Sequence, residues 1–128
     1  FAKLTVFGSG DIFDPDTAFD RLTQTGIDGV IVARGAVGNP WIFADLLART
    51  QGLPQPTPPT LAEQGQVMLE HFEMISVGRK DNRAVPFFRK FAVGYSKRHP
   101  ERKKTMMALL AARTRQQLLD TIHGAYGL

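Results

Sequence analysis

The sequence contains no cysteine in its 128 residues. Disulfide bonds, cysteine-ligated metal sites and a cysteine catalyst are therefore excluded within this chain. No apolar run reaches the roughly 18 residues of a membrane-spanning helix, and the first residues lack the charged-then-apolar order of a signal peptide. We therefore expect a soluble protein of the cytoplasm.

Acidic residues are scarce in the second half of the chain. Residues 1–60 carry four Lys and Arg against six Asp, a net charge of −2, whereas residues 61–128 carry twelve against six acids, a net charge of +6. Such asymmetry indicates a segment that binds a polyanion, although a solvated basic face without a partner is an equally good interpretation.

The chain is too short for a complete α/β barrel. An eight-stranded barrel needs about 250 residues, and only two strand–helix units can be found in this sequence of 128 residues. The chain also starts at Phe1 and enters a strand-like run at once. We therefore expect the C-terminal part of a longer α/β protein, with the last two βα units of a TIM barrel and an all-α C-terminal domain.

Two glycine-rich turns follow short apolar runs in the first part of the chain. Gly8-Ser9-Gly10-Asp11 follows the run 4–7, and Ala33-Arg34-Gly35-Ala36 follows the run 29–32. Each turn leads towards a helix, and parallel neighbouring strands would bring both loops to the same carboxyl edge. Glycine lets backbone amides approach a ligand, and a helix N-terminus attracts negative charge. The pair of loops therefore predicts a phosphate site.

Two charged side chains in these loops have alternative roles. Arg34 either pairs with a phosphate or bridges to an acidic residue while neighbouring amides bind the phosphate. Asp11 either makes its own loop rigid or faces a ligand hydroxyl.

Start and stop signals predict two helices and a strand in residues 1–52. Asp14-Pro15 predicts a helix that ends at Gly26, and Asn39-Pro40 predicts a second helix that closes near Gly52. The strand 27–33 is apolar without polar alternation, which predicts burial on both faces. The second helix is so apolar that we expect it to pack against the barrel wall or the next domain.

A proline-rich linker over residues 53–60 separates the barrel part, residues 1–52, from a helical domain, residues 61–128. Capping-box spacings at Thr60–Glu63 and Thr114–Gln117 mark two helix starts in that domain. The apolar periodicity predicts four helices, over about 61–77, 84–98 and 101–112, with a last helix that ends at Gly124.

A row of basic residues lies on the second of these helices. Arg83, Lys90 and Lys97 recur every seven residues and so share one face, with Arg89 nearby. Further basic residues extend the row: Arg98, Arg102, Lys103 and Lys104. We interpret the row as a surface suited to the phosphate backbone of a nucleic acid, the alternative being ordinary solvated surface.

The remaining candidate residues favour structural roles. His71, His99 and His123 lie far apart without metal-ligand spacing, so we predict no metal site. Trp41 and the phenylalanines of the helix predicted over 84–98 follow helical periodicity, which favours core positions over base stacking. No catalytic triad or pair of carboxylates stands out.

Four stretches of the chain resemble bacterial tRNA-dihydrouridine synthases. Residues 8–12, 25–30 and 33–43 are similar to the end of that family's catalytic barrel, and 88–97 is similar to an Arg-Lys-His stretch of its helical tRNA-binding domain. The resemblance covers nearly the whole chain. It is most specific at the second loop and the Asn-Pro-Trp sequence that follows it.

The resemblance implies an FMN-containing TIM barrel that uses a reduced nicotinamide cofactor, NADPH, to reduce uridines of tRNA to dihydrouridine. By matching motif, the FMN contacts are Ser9, Gly10, Asp11, Ala33 and Arg34. The family usually has Asn at the position of Ser9 and commonly Gly at that of Ala33; both replacements are small, so we expect binding to survive in a complete protein.

The helical part implies tRNA contacts for Arg83, Arg89, Lys90 and Lys97. The family usually has His at the position of Phe91, which leaves a polar role of that position open. The family's catalytic acid is a cysteine on an earlier barrel loop, so no catalytic residue is assigned in this chain and we expect the chain alone to be inactive. Two exposed strand edges predict a dimer or a swapped assembly.

Three hypotheses remain open from the sequence. The chain is part of an FMN-dependent tRNA-dihydrouridine synthase. Alternatively, it belongs to another FMN- or phosphate-binding TIM-barrel oxidoreductase of a small molecule, with the helices as an oligomerisation tail. The third hypothesis is a non-catalytic module whose helices alone bind RNA or a protein.

Overall fold

Two short parallel strands form the sheet that the sequence predicts. In the computed structural model, which describes residues 3–128, β1 spans Phe7–Ser9 and β2 spans Gly29–Ile31. Phe7 pairs with Gly29 and Ser9 pairs with Ile31. Asp28 extends the pairing, because its amide donates to the carbonyl of Val6 at 2.8 Å while its carboxylate accepts from the Val6 amide at 2.8 Å. The predicted parallel pair is confirmed.

The prediction that the second strand is buried on both faces is wrong for residues 3–128. Ile31 is 53% exposed and Phe7 is 60% exposed. Only two strands lie in the described part of the chain, and the helix that follows β1 contacts β2. Too few elements are therefore present to cover both faces of the pair.

The helix after β1 has the ends that the sequence predicts. Helix α1 spans Pro15–Thr25, and the Asp14 carboxylate accepts from the amide of Thr17 at 2.8 Å. This bond and the one from the Thr17 hydroxyl lower the pKa of Asp14. Gly26 ends the helix in the left-handed region with φ 67°, a conformation that favours glycine.

The second helix begins later than predicted. After a short 3-10 helix at Arg34–Ala36, helix α2 spans Ile42–Thr50, with Trp41 at its N-cap and no side-chain capping bond. The first helical amide bonds to the carbonyl of Asn39 at 3.4 Å, so a turn precedes the helix. Within α2 only Ile42 and Ala48 are buried.

The chain divides into two compact units, the first ending at Thr57 and the second spanning Pro58–Leu128. The division falls inside the proline-rich segment. The second unit contains four helices in its described residues: α3 Leu61–Ser76, α4 Asp81–Ser96, α5 Arg102–Ala111 and α6 Arg115–Tyr126. Helix α3 packs against α4 and α6, and α5 packs against the same two helices.

Both predicted capping boxes are present, at Thr60 with Glu63 and at Thr114 with Gln117. The helix ends differ from the prediction by up to three residues. Helix α4 starts three residues earlier, and α6 continues through Gly124 to a cap at Gly127 with φ 70°. The extension is explained by packing, because Tyr126 is only 1% exposed and lies against α3.

Aromatic side chains form the core of the helical unit. Phe72 and Phe88 are fully buried, and their ring centroids lie 5.5 Å apart in an edge-to-face arrangement. Helix α6 adds Leu118, Ile122 and Tyr126 to the buried set. None of the helices formed by residues 3–128 is long and apolar enough to span a membrane.

Candidate functional site

The two glycine loops lie in contact with each other. Gly35, in the second loop, is buried. A Cβ at this position would lie 1.8 Å from the carbonyl oxygen of Ile12 and 3.1 Å from the Cα of Phe13, both just after the first loop. The absence of a side chain at Gly35 therefore allows the two segments to touch backbone to backbone.

An ion pair joins the same two loops. Arg34 donates from Nη2 to the carboxylate of Asp11, and both side chains remain largely exposed, at 77% and 63%. The backbone of the first loop is unusual, with φ 144° at Gly10 and φ 45° at Asp11. Of the two roles that the sequence leaves open for Arg34, the structure contains the bridge to an acid, and the exposed guanidinium keeps donors that an anion can reach.

A small cavity opens beside the first loop. Its volume is about 180 Å³, and its lining includes Ser9, Arg21 and Thr25. The Nη1 atom of Arg21 lies 3.9 Å from the position that a Cβ would take at Gly10. Sequence reasoning missed Arg21, because only the packing of α1 brings it to the loop. Ala33, the remaining predicted contact, is exposed next to Arg34.

Three of the four predicted basic contacts are exposed, two of them on α4 and Lys97 at its C-cap. Arg83, Lys90 and Lys97 form no ion pair with the acidic side chains of residues 3–128. The ammonium of Lys90 lies 4.1 Å from the ring centroid of Phe87 and 4.8 Å from that of Phe91. Contact with aromatic faces restrains this side chain while its charge stays at the surface.

Arg89 lies apart from the other three. Its side chain is half-buried, and Nη2 donates to the carbonyl of Ala112, just after α5, at 3.1 Å. Its Nε is buried and has no hydrogen-bond partner among residues 3–128. The structure thus places this guanidinium between helices.

We expect Arg89→Lys to lower the free energy of unfolding of the helical unit by about 1–3 kcal/mol, because an ammonium cannot reproduce the bond to Ala112 within the same space. Urea denaturation followed by circular dichroism measures the change. Arg113→Lys, the same substitution at an exposed position, is the control and should stay within about 0.5 kcal/mol. Equal effects at both positions would contradict a structural role for Arg89.

A larger cavity lies at the turn between α3 and α4. It has a volume of about 640 Å³ and is lined by Gly78, Arg79, Lys80, Asn82, Arg83 and Phe87. Arg79 donates from Nη1 to the carbonyl of Ile75 at 2.9 Å, and its guanidinium carbon lies 4.7 Å from the ring centroid of Phe87. Sequence reasoning missed this cluster, although the Arg79-Lys80 pair just before a helix was a visible signal.

His71 and Tyr95 meet in the aromatic core. The Nδ1 atom of His71 lies 3.2 Å from the Tyr95 hydroxyl, and its ring centroid lies 4.5 Å from that of Phe91. Burial lowers the pKa of His71 and raises the pKa of Tyr95 to about 12. Both groups are therefore neutral near pH 7, which fits the structural role predicted for this histidine.

His99 joins three segments of the helical unit. Its Nε2 lies 2.8 Å from the carbonyl of Ala125, while Nδ1 lies 3.0 Å from both the amide of Glu101 and the hydroxyl of Thr105. The Glu101 amide can only donate, so Nδ1 accepts and Nε2 carries the proton. His123 is exposed, and no group of three or more potential ligands in residues 3–128 is placed to hold a metal ion.

The chain is similar in sequence to known proteins over most of its length. The sequence model of the Dihydrouridine synthase (Dus) family matches residues 1–125. A probable tRNA-dihydrouridine synthase of Mycobacterium tuberculosis (strain H37Rv) is 34% identical over 124 residues, which cover 94% of this chain and 32% of that protein. A probable tRNA-dihydrouridine synthase of Mycobacterium leprae is 33% identical over 125 residues, covering 95% of this chain and 33% of that protein.

A further relative is the tRNA-dihydrouridine synthase B of Xanthomonas axonopodis pv. citri. It is 35% identical over 102 residues, which cover 77% of this chain and 30% of that protein. The chain therefore spans about a third of the length of the curated relatives that it matches.

Proposed function

Because the chain belongs to the dihydrouridine synthase family, we propose that it forms part of an enzyme that reduces uridine to dihydrouridine in tRNA. The reaction adds two electrons and two protons across the C5–C6 bond of the uracil ring. In the proposal NAD(P)H supplies the electrons and FMN, when bound, carries the hydride. The observation that carries the proposal is the contact between the two glycine loops, which gathers exposed polar groups of both at one place.

The residues of the loops fit the phosphate of FMN. A Cβ at Gly10 would meet only Nη1 of Arg21, at 3.9 Å, so the backbone of the loop lies beside this guanidinium. Ser9 would contribute its hydroxyl, and Ala33 would contribute its backbone from the second loop. Arg34 offers further N–H donors to the phosphate. The carboxylate of Asp11 would repel a phosphate, so its role in the proposal is to orient Arg34 through the ion pair.

The chemical step requires groups outside this chain. The resemblance assigns the proton donor to a cysteine, and this chain has none. The 128-residue chain alone is therefore proposed to be inactive, with its residues binding and orienting the cofactor and tRNA. Its contribution to the complete protein is the phosphate end of the flavin site and the helical unit.

The exposed side of α4 is the proposed tRNA contact. Arg83, Lys90 and Lys97 present cations that no acid within residues 3–128 neutralises. A polyanion that they contact releases its condensed counterions, which makes the affinity depend on salt. Arg89, which bonds to Ala112, is proposed to support this surface by holding α4 and not by a direct phosphate contact.

Affinity for unmodified tRNA across a salt series tests this contact. For the chain with Arg83, Lys90 and Lys97 all changed to Ala, we expect the slope of log affinity against log salt to be shallower by about two to three units. Filter binding or fluorescence anisotropy measures both slopes.

Two single variants provide the matched control. Lys97→Ala and Arg113→Ala each remove one exposed cation, but only Lys97 belongs to the proposed contact. We expect the slope to fall by about one unit for Lys97→Ala and to stay unchanged for Arg113→Ala. If a folded chain binds tRNA without salt dependence, or if both variants change the slope equally, the contact is assigned wrongly.

A further inference from the structure

Every charged residue that lines the cavity at the α3–α4 turn is a cation. Its lining contains Arg79, Lys80 and Arg83 and no acidic residue. None of the three forms an ion pair with the acidic side chains of residues 3–128. Three unneutralised cations around one concave space attract an anion more strongly than the same cations spread over a flat face, because the low-dielectric walls focus their field.

The acidic residue that is nearest in sequence to these three cations forms its ion pair away from the cavity. Asp81 lies between Lys80 and Asn82, yet it does not line the cavity. Its carboxylate lies 3.7 Å from Nη1 of Arg115 on α6, and Arg115 also pairs with Glu73. The fold therefore pairs this carboxylate with a cation from another helix, which it shares with Glu73, and the three cations of the cavity stay without an acidic partner among residues 3–128.

One of the three cations is already held in place. The bond from Arg79 to the Ile75 carbonyl uses one N–H of the guanidinium, and the Phe87 ring at 4.7 Å supports its face. A guanidinium has five N–H donors, so four remain for a ligand. A side chain that is ordered before binding loses less conformational entropy when it binds. This arrangement suits the fork-shaped recognition of phosphate oxygens.

We propose that this cavity binds one phosphate group at a fixed position, and that Arg79 and Arg83 recognise it by hydrogen-bond geometry as well as by charge. The ligand is inferred from the proposed function, in which tRNA supplies phosphodiesters. A free phosphate compound shares the same chemistry. The cavity differs in this respect from the rest of the basic row on α4, where charge alone attracts the backbone.

Charge-conserving variants separate a built site from diffuse attraction. We expect Arg79→Lys and Arg83→Lys each to weaken the binding of the 128-residue chain to unmodified tRNA about tenfold, the size of one lost charge-assisted hydrogen bond. Arg113→Lys makes the same change at an exposed position outside the cavity and outside the basic row and should change the affinity less than about twofold. The side chain of Arg83 forms no ion pair with the acidic residues of the described part of the chain, so its variant tests recognition even if Arg79→Lys disturbs the turn.

A second arm uses inorganic phosphate without RNA. Titration followed by amide NMR signals should shift the resonances of residues 78–83 and leave those of the α5–α6 loop unchanged. If tRNA binds but the charge-conserving variants match their control and no shifts occur, the cavity is not a site while the proposed function stands. If tRNA does not bind but phosphate shifts these signals and Arg83→Lys abolishes the shifts, the site stands for a free phosphate compound and the proposed function fails.

Discussion

Replacing Phe88 by alanine is expected to lower the free energy of unfolding of the helical unit by about 3–5 kcal/mol. Phe88 is fully buried, and its ring lies 5.5 Å from that of Phe72 and 5.7 Å from that of His71. The alanine side chain would leave a cavity among aromatic rings of α3 and α4 that cannot collapse, because both helices are held by further contacts. The lost transfer energy and the cavity then add.

The measurement uses the distribution of chromophores in the chain. Both tyrosines, Tyr95 and Tyr126, lie in the helical unit, and the single tryptophan, Trp41, lies in the first unit. Urea denaturation followed by near-ultraviolet circular dichroism of tyrosine therefore reports the helical unit. A loss of about 3–5 kcal/mol is a large part of the stability of a typical domain.

The control is the neighbouring phenylalanine, Phe87, which is 39% exposed. We expect Phe87→Ala to cost about 1 kcal/mol, mostly from the lost contacts with Arg79 and Lys90. If Phe88→Ala leaves too little folded protein, Phe88→Leu provides a smaller step of about 1.5 kcal/mol or less. Equal losses for Phe87→Ala and Phe88→Ala would contradict the assignment of Phe88 to the centre of the core.

Local signals account for the parts of the fold that the sequence predicts well. A capping box needs only residues three apart, and the amide of Thr60 does donate to the Glu63 carboxylate at 2.6 Å. The ends of α1 are likewise set by local residues. The Asp14 side chain caps the start of the helix, and the backbone freedom of Gly26 allows its end. The parallel arrangement of the strands follows from the helix between them.

Long-range packing accounts for the parts that the sequence predicts poorly. The sequence predicts that the last helix ends at Gly124. Tyr126 packs against Gly65 on α3, far away in sequence, and this contact extends α6. Burial of β2 on both faces depends on neighbouring strands, and residues 3–128 contain only β1 beside it. Neither the extension of α6 nor the exposure of β2 can be predicted from neighbouring residues in the sequence.

In the candidate site, too, some features follow from the sequence and others depend on long-range packing. The meeting of the two loops follows from parallel strands of one sheet, and the sequence predicts it. The environment of Arg89 cannot be predicted from its place beside Lys90, because successive helical residues point about 100° apart. Arg89 forms its interhelical hydrogen bond only because the end of α5 lies beside it. The cavity around Arg79 depends on how α3 ends and α4 begins, which a row of basic residues does not indicate.

Replacing Gly35 by alanine is expected to separate the two glycine loops and to destabilise the first unit by about 3 kcal/mol or more, at or above the upper end of the usual range for overpacking. The added Cβ would lie 1.8 Å from the carbonyl oxygen of Ile12 and 2.9 Å from its carbonyl carbon. Both atoms belong to the backbone, so no side-chain rotation relieves the overlap. The loop itself must move.

Gly8→Ala is the matched control in the same unit, because its Cβ would meet Cδ1 of Ile27 at 2.6 Å, the movable end of a side chain. We expect it to cost about 1 kcal/mol or less. Fluorescence of Trp41, excited where tyrosine does not absorb, follows the unfolding of this unit, while the tyrosine signals of the helical unit should stay unchanged for both variants. If Gly35→Ala unfolds with the midpoint of Gly8→Ala, the loops are not held by backbone contact at Gly35, and the proposed phosphate site loses the observation that carries it.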